Sequence, residues 1–164
     1  MRRIVFGLMT ILLAAHLSAG QESRTQAKWI GTWKLNVSKS IFPPGDPEIP
    51  LSVTRKMDAI SGGMRFTTER VNSRGVYLPR QLEFEALFDG KDVPVRGGAA
   101  FPGQTVSVKS VDPFTFELLW TIPGVGTGLE RGVVSSDGQS LTINTRQTLR
   151  GQVTNGVSVY ELEP

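Results

Sequence analysis

Ser158 and Tyr160 stand two residues apart near the C-terminus, and three arginines alternate in step with apolar neighbours. Arg55 shares parity with Leu51, Val53 and Met57, Arg70 with Met64, Phe66 and Thr68, and Arg131 with Leu129 and Val133. Hydroxyl and guanidinium groups turned toward a sheltered interior suit one kind of chemistry, the holding of an anionic or polar head group by hydrogen bonds. If the three arginines face inward, a cationic lumen could take an anion. The competing reading puts each at a rim, stem packed and head in water. Alternatively, an inward arginine makes a structural ion pair, with Glu69 or Glu161 as the carboxylate. Arg146, beside Thr142 and Asn144, falls on the polar parity and is expected in solvent.

Most catalytic chemistries are disfavoured by composition. There is no cysteine, and the only histidine, His16, lies in a segment expected to be removed. Without imidazole or thiol, Ser-His-Asp and Cys-His nucleophilic sites have no base. Zinc, copper and the usual haem ligation lose their donors as well. No Asp-x-Asp-x-Asp-Gly calcium loop appears. Glu83 and Glu85 share a strand face opposite Phe84, which suits a wet surface better than an acid/base pair. The expectation is a non-enzymatic protein with no metal and no cofactor.

The chain's first twenty residues have the layout of a secretory signal: Arg2-Arg3, an apolar run from Ile4 to Leu17, then small Ser18-Ala19-Gly20. The run is shorter than the ~20 apolar residues of a spanning helix, so no transmembrane segment is expected after cleavage. Residues 1–20 are thus read as signal, 21–27 as a flexible N-terminal segment and 28–164 as one domain. The expected location is periplasmic or secreted, by bacterial export. Without Arg2 and Arg3, the 18 basic residues fall to 16 against 15 acidic ones. The charges are interspersed, so no nucleic-acid footprint is indicated. Asn36-Val37-Ser38 fits a glycosylation sequon, relevant only in a eukaryotic secretory route.

Period-two alternation supplies the elements that would position these side chains. Leu82, Phe84, Ala86 and Phe88 alternate with Glu83 and Glu85; Phe114, Phe116, Leu118 and Trp120 alternate with Thr115, Glu117 and Leu119; Leu141 and Ile143 alternate with Thr142 and Asn144. Such alternation marks strands with one buried face, and no helical spacing is sustained after the signal. Gly62-Gly63, Asp89-Gly90, Asp137-Gly138 and Asn155-Gly156 accept the positive φ of tight hairpins. Asn72-Ser73-Arg74-Gly75, Asp112-Pro113 and Pro123-Gly124 mark further reversals. Strands are predicted near 28–36, 50–58, 64–71, 79–88, 92–95, 104–111, 114–121, 128–135, 140–149 and 156–163. The fold class is all-β: an up-and-down antiparallel β-barrel of 8–10 strands, with little or no helix outside the signal. Closure would pair the last strand with the first. A β-sandwich uses similar strands but longer cross-overs. Residues 38–50 contain four prolines and admit no long helix, only one short turn that Ser38 could cap.

Two signatures carry a family resemblance. Trp29-Ile30-Gly31-Thr32-Trp33-Lys34-Leu35-Asn36 puts a Gly-x-Trp on the opening strand, which resembles the calycins: lipocalins, fatty-acid-binding proteins and avidins. Gly31 to Leu35 is similar to the fatty-acid-binding group. With Asn36 and Lys39-Ser40-Ile41-Phe42, it also resembles small exported bacterial lipocalin-like proteins. The resemblance implies that Trp33, sharing a face with Trp29 and Leu35, plugs one end of the barrel or walls its cavity. At the other end of the chain, Val159-Tyr160-Glu161 resembles the final strand of fatty-acid-binding proteins. There an arginine two residues before the tyrosine helps hold a ligand carboxylate. Here that position is Ser158, so the clamp lacks a charged member. The match turns Ser158 and Tyr160 inward and leaves Val157 and Val159 on the opposite face. The accessory helices of both families have no counterpart.

The expected function is an exported, lipocalin-like binding module for a small apolar or amphipathic ligand. Its wall would draw on Trp33, Arg55, Phe66, Arg70, Phe84, Phe116, Trp120, Arg131, Ser158 and Tyr160. The alternative is a structural or interaction barrel of the cell envelope, its lumen filled by side chains. Cleavage after Ser18-Ala19-Gly20 predicts an exported protein that starts near Gln21. Intact mass of the exported form checks this, and residues 1–20 retained in a membrane fraction would reverse it.

Overall fold

The computed structural model describes residues 27–42 and 49–164. The expected signal, residues 21–26 and part of the proline-rich loop lie outside the described residues. Within them are eleven strands: β1 (Gly31–Leu35), β2 (Ser52–Ile60), β3 (Gly63–Val71), β4 (Tyr77–Leu78), β5 (Glu83–Leu87) and β6 (Val93–Pro94), followed by β7 (Thr105–Asp112), β8 (Thr115–Ile122), β9 (Gly126–Val134), β10 (Ser140–Leu149) and β11 (Gln152–Leu162). All pair antiparallel in one curled sheet, ordered β4-β3-β2-β1-β11-β10-β9-β8-β7-β6, with β5 also on β3. This is the up-and-down arrangement that the hairpin spacing predicts. The first and last strands pair as expected, Trp33 opposite Leu162 and Leu35 opposite Tyr160.

The seam of the sheet falls in the middle of the chain. Between β5 and the β6–β7 segment there is no continuous ladder: isolated bridges join Glu83 with Arg96 and Asp89 with Lys109, and the Gly98 and Ala99 N–H groups donate to the Arg80 and Gln81 carbonyls. Composition explains the gap. Pro94 removes a ladder donor from β6, and Gly97-Gly98 with Pro102-Gly103 break the chain before β7. The predicted strand over 79–88 is shortened to the five-residue β5, and the two-residue β4 lies just before the predicted span.

Turn chemistry mostly follows the sequence. The Asn72 side-chain oxygen accepts from Arg74 N–H at 3.0 Å and Val76 N–H at 2.9 Å, closing the reversal after β3. The Asp112 carboxylate accepts from Phe114 N–H at 2.7 Å, and that bond first of all holds it below the usual carboxylate range. Two expectations are corrected. Asn155-Gly156 is not a turn: both residues lie within β11, opposite Arg146 and Thr145. The hairpin turns instead at Arg150-Gly151, φ 49° and 80°, because a two-residue loop of this kind needs positive φ at both positions. The short 3-10 turn Val37–Lys39 is capped by Asn36, not Ser38: the Asn36 side-chain oxygen accepts from Lys39 N–H at 3.1 Å. Its amide donates to Glu161 at 2.8 Å, so the sequon asparagine ties the turn to the last strand.

One end of the barrel is solid. Trp29, Trp33, Met57, Met64 and Phe116 are fully buried there. Trp29 lies edge-on to Phe88 and tilted against Phe116, with ring centroids 5.1 and 5.2 Å apart. The Trp33 indole N–H donates to the Trp29 carbonyl at 2.9 Å, fixing the approach to β1. Trp33→Ala is expected to lower stability by ~3–5 kcal/mol, through lost burial and the cavity left behind. Denaturant unfolding checks this; unchanged stability with a specific loss of binding would make Trp33 a cavity wall instead.

Candidate functional site

The site is assembled on β8, whose inward parity follows the sequence reading, and on β9, where that reading is reversed. Along β9, Gly128, Gly132 and Val134 are buried and Glu130 is half-buried, whereas Leu129, Arg131 and Val133 are exposed. Apolar alternation normally marks the inner face, but here the inner face is small because its neighbour is large. Trp120 lies opposite Gly128 and Phe116 opposite Gly132. A Cβ on Gly128 would come within 2.2 Å of the Trp120 ring, and one on Gly132 within 2.3 Å of Phe116. Two aromatic rings thus fold over two glycines, and Glu130 projects into the lumen between them.

Arg55 projects from β2, on the far side of the barrel from β9. Its guanidinium donates from Nη1 to Glu130 Oε2 at 2.7 Å and from Nη2 to Oε1 at 3.4 Å. Nε donates to the Tyr160 hydroxyl at 2.9 Å. The cation also lies 5.1 Å from the Tyr160 ring centroid and 5.8 Å from that of Phe66, within cation–π range. Both ion-pair side chains are 14% exposed, so this is a largely buried strut across the lumen. Burial by itself disfavours the Arg55 charge; Glu130 and the hydrogen bonds more than offset it and hold Arg55 above its ordinary value. Burial raises the Tyr160 phenol, against the opposing pull of Arg55, so it stays protonated at neutral pH.

The strut is a common wall for two chambers. The first, about 240 Å³, is apolar, with Phe66, Phe84, Val106, Leu118, Trp120 and Ile122 around it. Phe66 and Phe84 stack at 4.6 Å between centroids. Ala99 and Phe101, exposed on the loop before β7, line the same chamber and place its mouth there. The second, about 190 Å³, is lined by Thr145, Gln147, Thr154, Asn155 and Ser158, under Ile41 and Phe42. Gln147 donates to Thr154 across β10 and β11 at 3.1 Å.

Of the residues singled out from sequence, Arg55, Phe66, Phe84 and Trp120 meet around the apolar chamber. Ser158 lines the polar one, and Tyr160 joins the strut. Trp33 and Phe116 belong to the solid end. Arg70 follows Thr68 on the inward parity of β3 but lines neither chamber. Arg131 is the clear correction: it is exposed and pairs with Glu117 on the outer surface. The partner of Arg55 is neither Glu69 nor Glu161 but Glu130, which sequence reasoning missed. A signal was present, Gly-x-Glu-x-Gly beside an aromatic alternating strand, but it reads as an inner face only once the register is known. Gln104, Thr145 and Gln147 were also missed. Among the described residues no cluster of three or more His, Cys, Asp or Glu is placed to hold a metal, and no helix is long and apolar enough to cross a membrane.

No family profile and no curated protein matches the chain. Among solved structures it is similar to a Schistosoma mansoni fatty acid binding protein in complex with arachidonic acid. The TM-score is 0.57 at 14% identity, over 85% of this chain and 99% of the other. The likeness establishes a calycin-like fold.

Glu130→Ala is expected to cost ~3–5 kcal/mol, because it strands a buried guanidinium. Replacing both partners, Arg55→Met with Glu130→Leu, is expected to be neutral or stabilising by up to ~4 kcal/mol. Denaturant unfolding of the single and double variants checks the pair; equal losses in both would mean that the cost is lost packing and not a stranded charge.

Proposed function

We propose that this chain is an exported, non-enzymatic binding barrel for a small apolar or amphipathic molecule. The observation that carries this is the apolar chamber of about 240 Å³ with a mouth at Phe101, beyond the packed core of Trp29, Trp33 and Phe116. A barrel built only for stability has no use for such a space, since unfilled apolar volume destabilises. The solved neighbour is described as holding arachidonic acid, a long apolar chain ending in a carboxylate. The apolar class of that ligand supports the reading. Its carboxylate does not transfer, because Arg55 is already engaged by Glu130 and Tyr160. The signal layout of residues 1–20 and the resemblance to small exported bacterial lipocalin-like proteins support export to the periplasm or beyond.

A second reading, a structural barrel of the cell envelope, draws support from the Trp29, Trp33 and Phe116 plug. The two readings part on Leu118→Trp, which extends an indole into the apolar chamber. Under the binding reading, this variant displaces a fluorescent apolar probe at least tenfold and barely moves the melting temperature. Under the structural reading, the wild type binds no probe and overpacking costs ~1–3 kcal/mol. Native mass spectrometry of protein purified from its source is expected to show a retained small molecule.

A further inference from the structure

The polar chamber behind the strut has no role in an apolar container, and its chemistry is specific. We infer that it is a subsite for a neutral, hydroxyl-bearing head group, so that the ligand is an uncharged amphiphile whose tail lies in the apolar chamber. This rests on the binding reading above and names the ligand class it would serve.

Size is the first argument. Neither chamber alone, at about 240 and 190 Å³, reaches the ~300–1,000 Å³ typical of small-molecule sites. Their summed volume does, and Arg55 with Glu130 stands between them. Charge is the second. Thr145, Gln147, Thr154, Asn155 and Ser158 are all uncharged and offer both donors and acceptors. The charged groups at this chamber are Arg55 and Glu130, which neutralise each other. A carboxylate entering here would face the Glu130 carboxylate and compete for a guanidinium whose Nε, Nη1 and Nη2 are all engaged. Displacing Glu130 would leave it charged and unpaired in a buried place. A hydroxyl group meets no such conflict: it accepts from or donates to the amides and hydroxyls without breaking the pair. A head group with two hydroxyls matches Gln147 and Thr154, already 3.1 Å apart across the hairpin.

The test uses three ligands with one twelve-carbon acyl chain: the glycerol monoester, the methyl ester and the free acid. Each is titrated at neutral pH, below its micellar concentration, against a bound fluorescent apolar probe. The glycerol ester is expected to displace the probe at least tenfold more tightly than either of the others. In Gln147→Leu, its advantage over the methyl ester is expected to shrink at least fivefold. Equal binding of the two esters, or an acid as tight as the glycerol ester, overturns the polar subsite while leaving the apolar container standing. An advantage that persists undiminished in both Gln147→Leu and Thr145→Val places the head group elsewhere and also overturns it. If the probe does not bind, or no ligand displaces it, the container reading falls and takes the subsite with it. The wild-type comparison decides the matter even if a variant fails to fold.

Discussion

Arg55 and Glu130 reach toward each other from strands on opposite walls of the barrel, and the interior is organised by their contact. A pair of charges this far from solvent survives only if the geometry is good and the remaining donors are occupied. The geometry is good, and each of the three guanidinium nitrogens has a partner. The carboxylate takes two guanidinium nitrogens, the third goes to the Tyr160 hydroxyl, and the planar cation packs against the Phe66 and Tyr160 rings. The cost of desolvating the pair restricts what surrounds it. Glu130 needs a narrow inner face on β9, and Gly128 and Gly132 provide one under the rings of Trp120 and Phe116.

The strut also divides the lumen by polarity. On one side, aromatic and aliphatic side chains from β3, β5, β7 and β8 leave a largely apolar chamber; on the other, the polar side chains of β10 and β11 leave a polar one. The opposite end of the barrel is closed by packing around Trp29 and Trp33. Stability and cavity are therefore drawn from different parts of the interior. The solid end supplies burial without disulfides, and the hollow end gives up burial for space.

The likeness to a fatty acid binding protein stops at the fold, and the residues explain why. A carboxylate clamp needs a cation with hydrogen bonds to spare. Ser158 stands where the family resemblance would put an arginine, and Arg55, which does reach Tyr160, is neutralised by Glu130.

Alternation along β2, β5, β8 and β10 and the turn dipeptides were sufficient to read an all-β, up-and-down fold with its first and last strands paired, because strand parity and tight turns are local properties of the chain. Phe66, Phe84 and Trp120 were legible as inward residues for the same reason, whereas parity left Arg55 open between lumen and rim, and only the family resemblance turned Ser158 and Tyr160 inward. The inner face of β9 was not: Leu129 and Val133 look like core, and only the neighbouring rings of Phe116 and Trp120 make Gly128 and Gly132 the buried side. The Asn155-Gly156 turn failed in the same way, since the cross-strand register with Arg146 and Thr145 keeps both residues in the ladder and moves the reversal to Arg150-Gly151. The pairing of Arg55 with Glu130 spans 75 positions and the width of the lumen. Parity assigns a side chain to a face, but only the curvature of the closed sheet decides which faces meet.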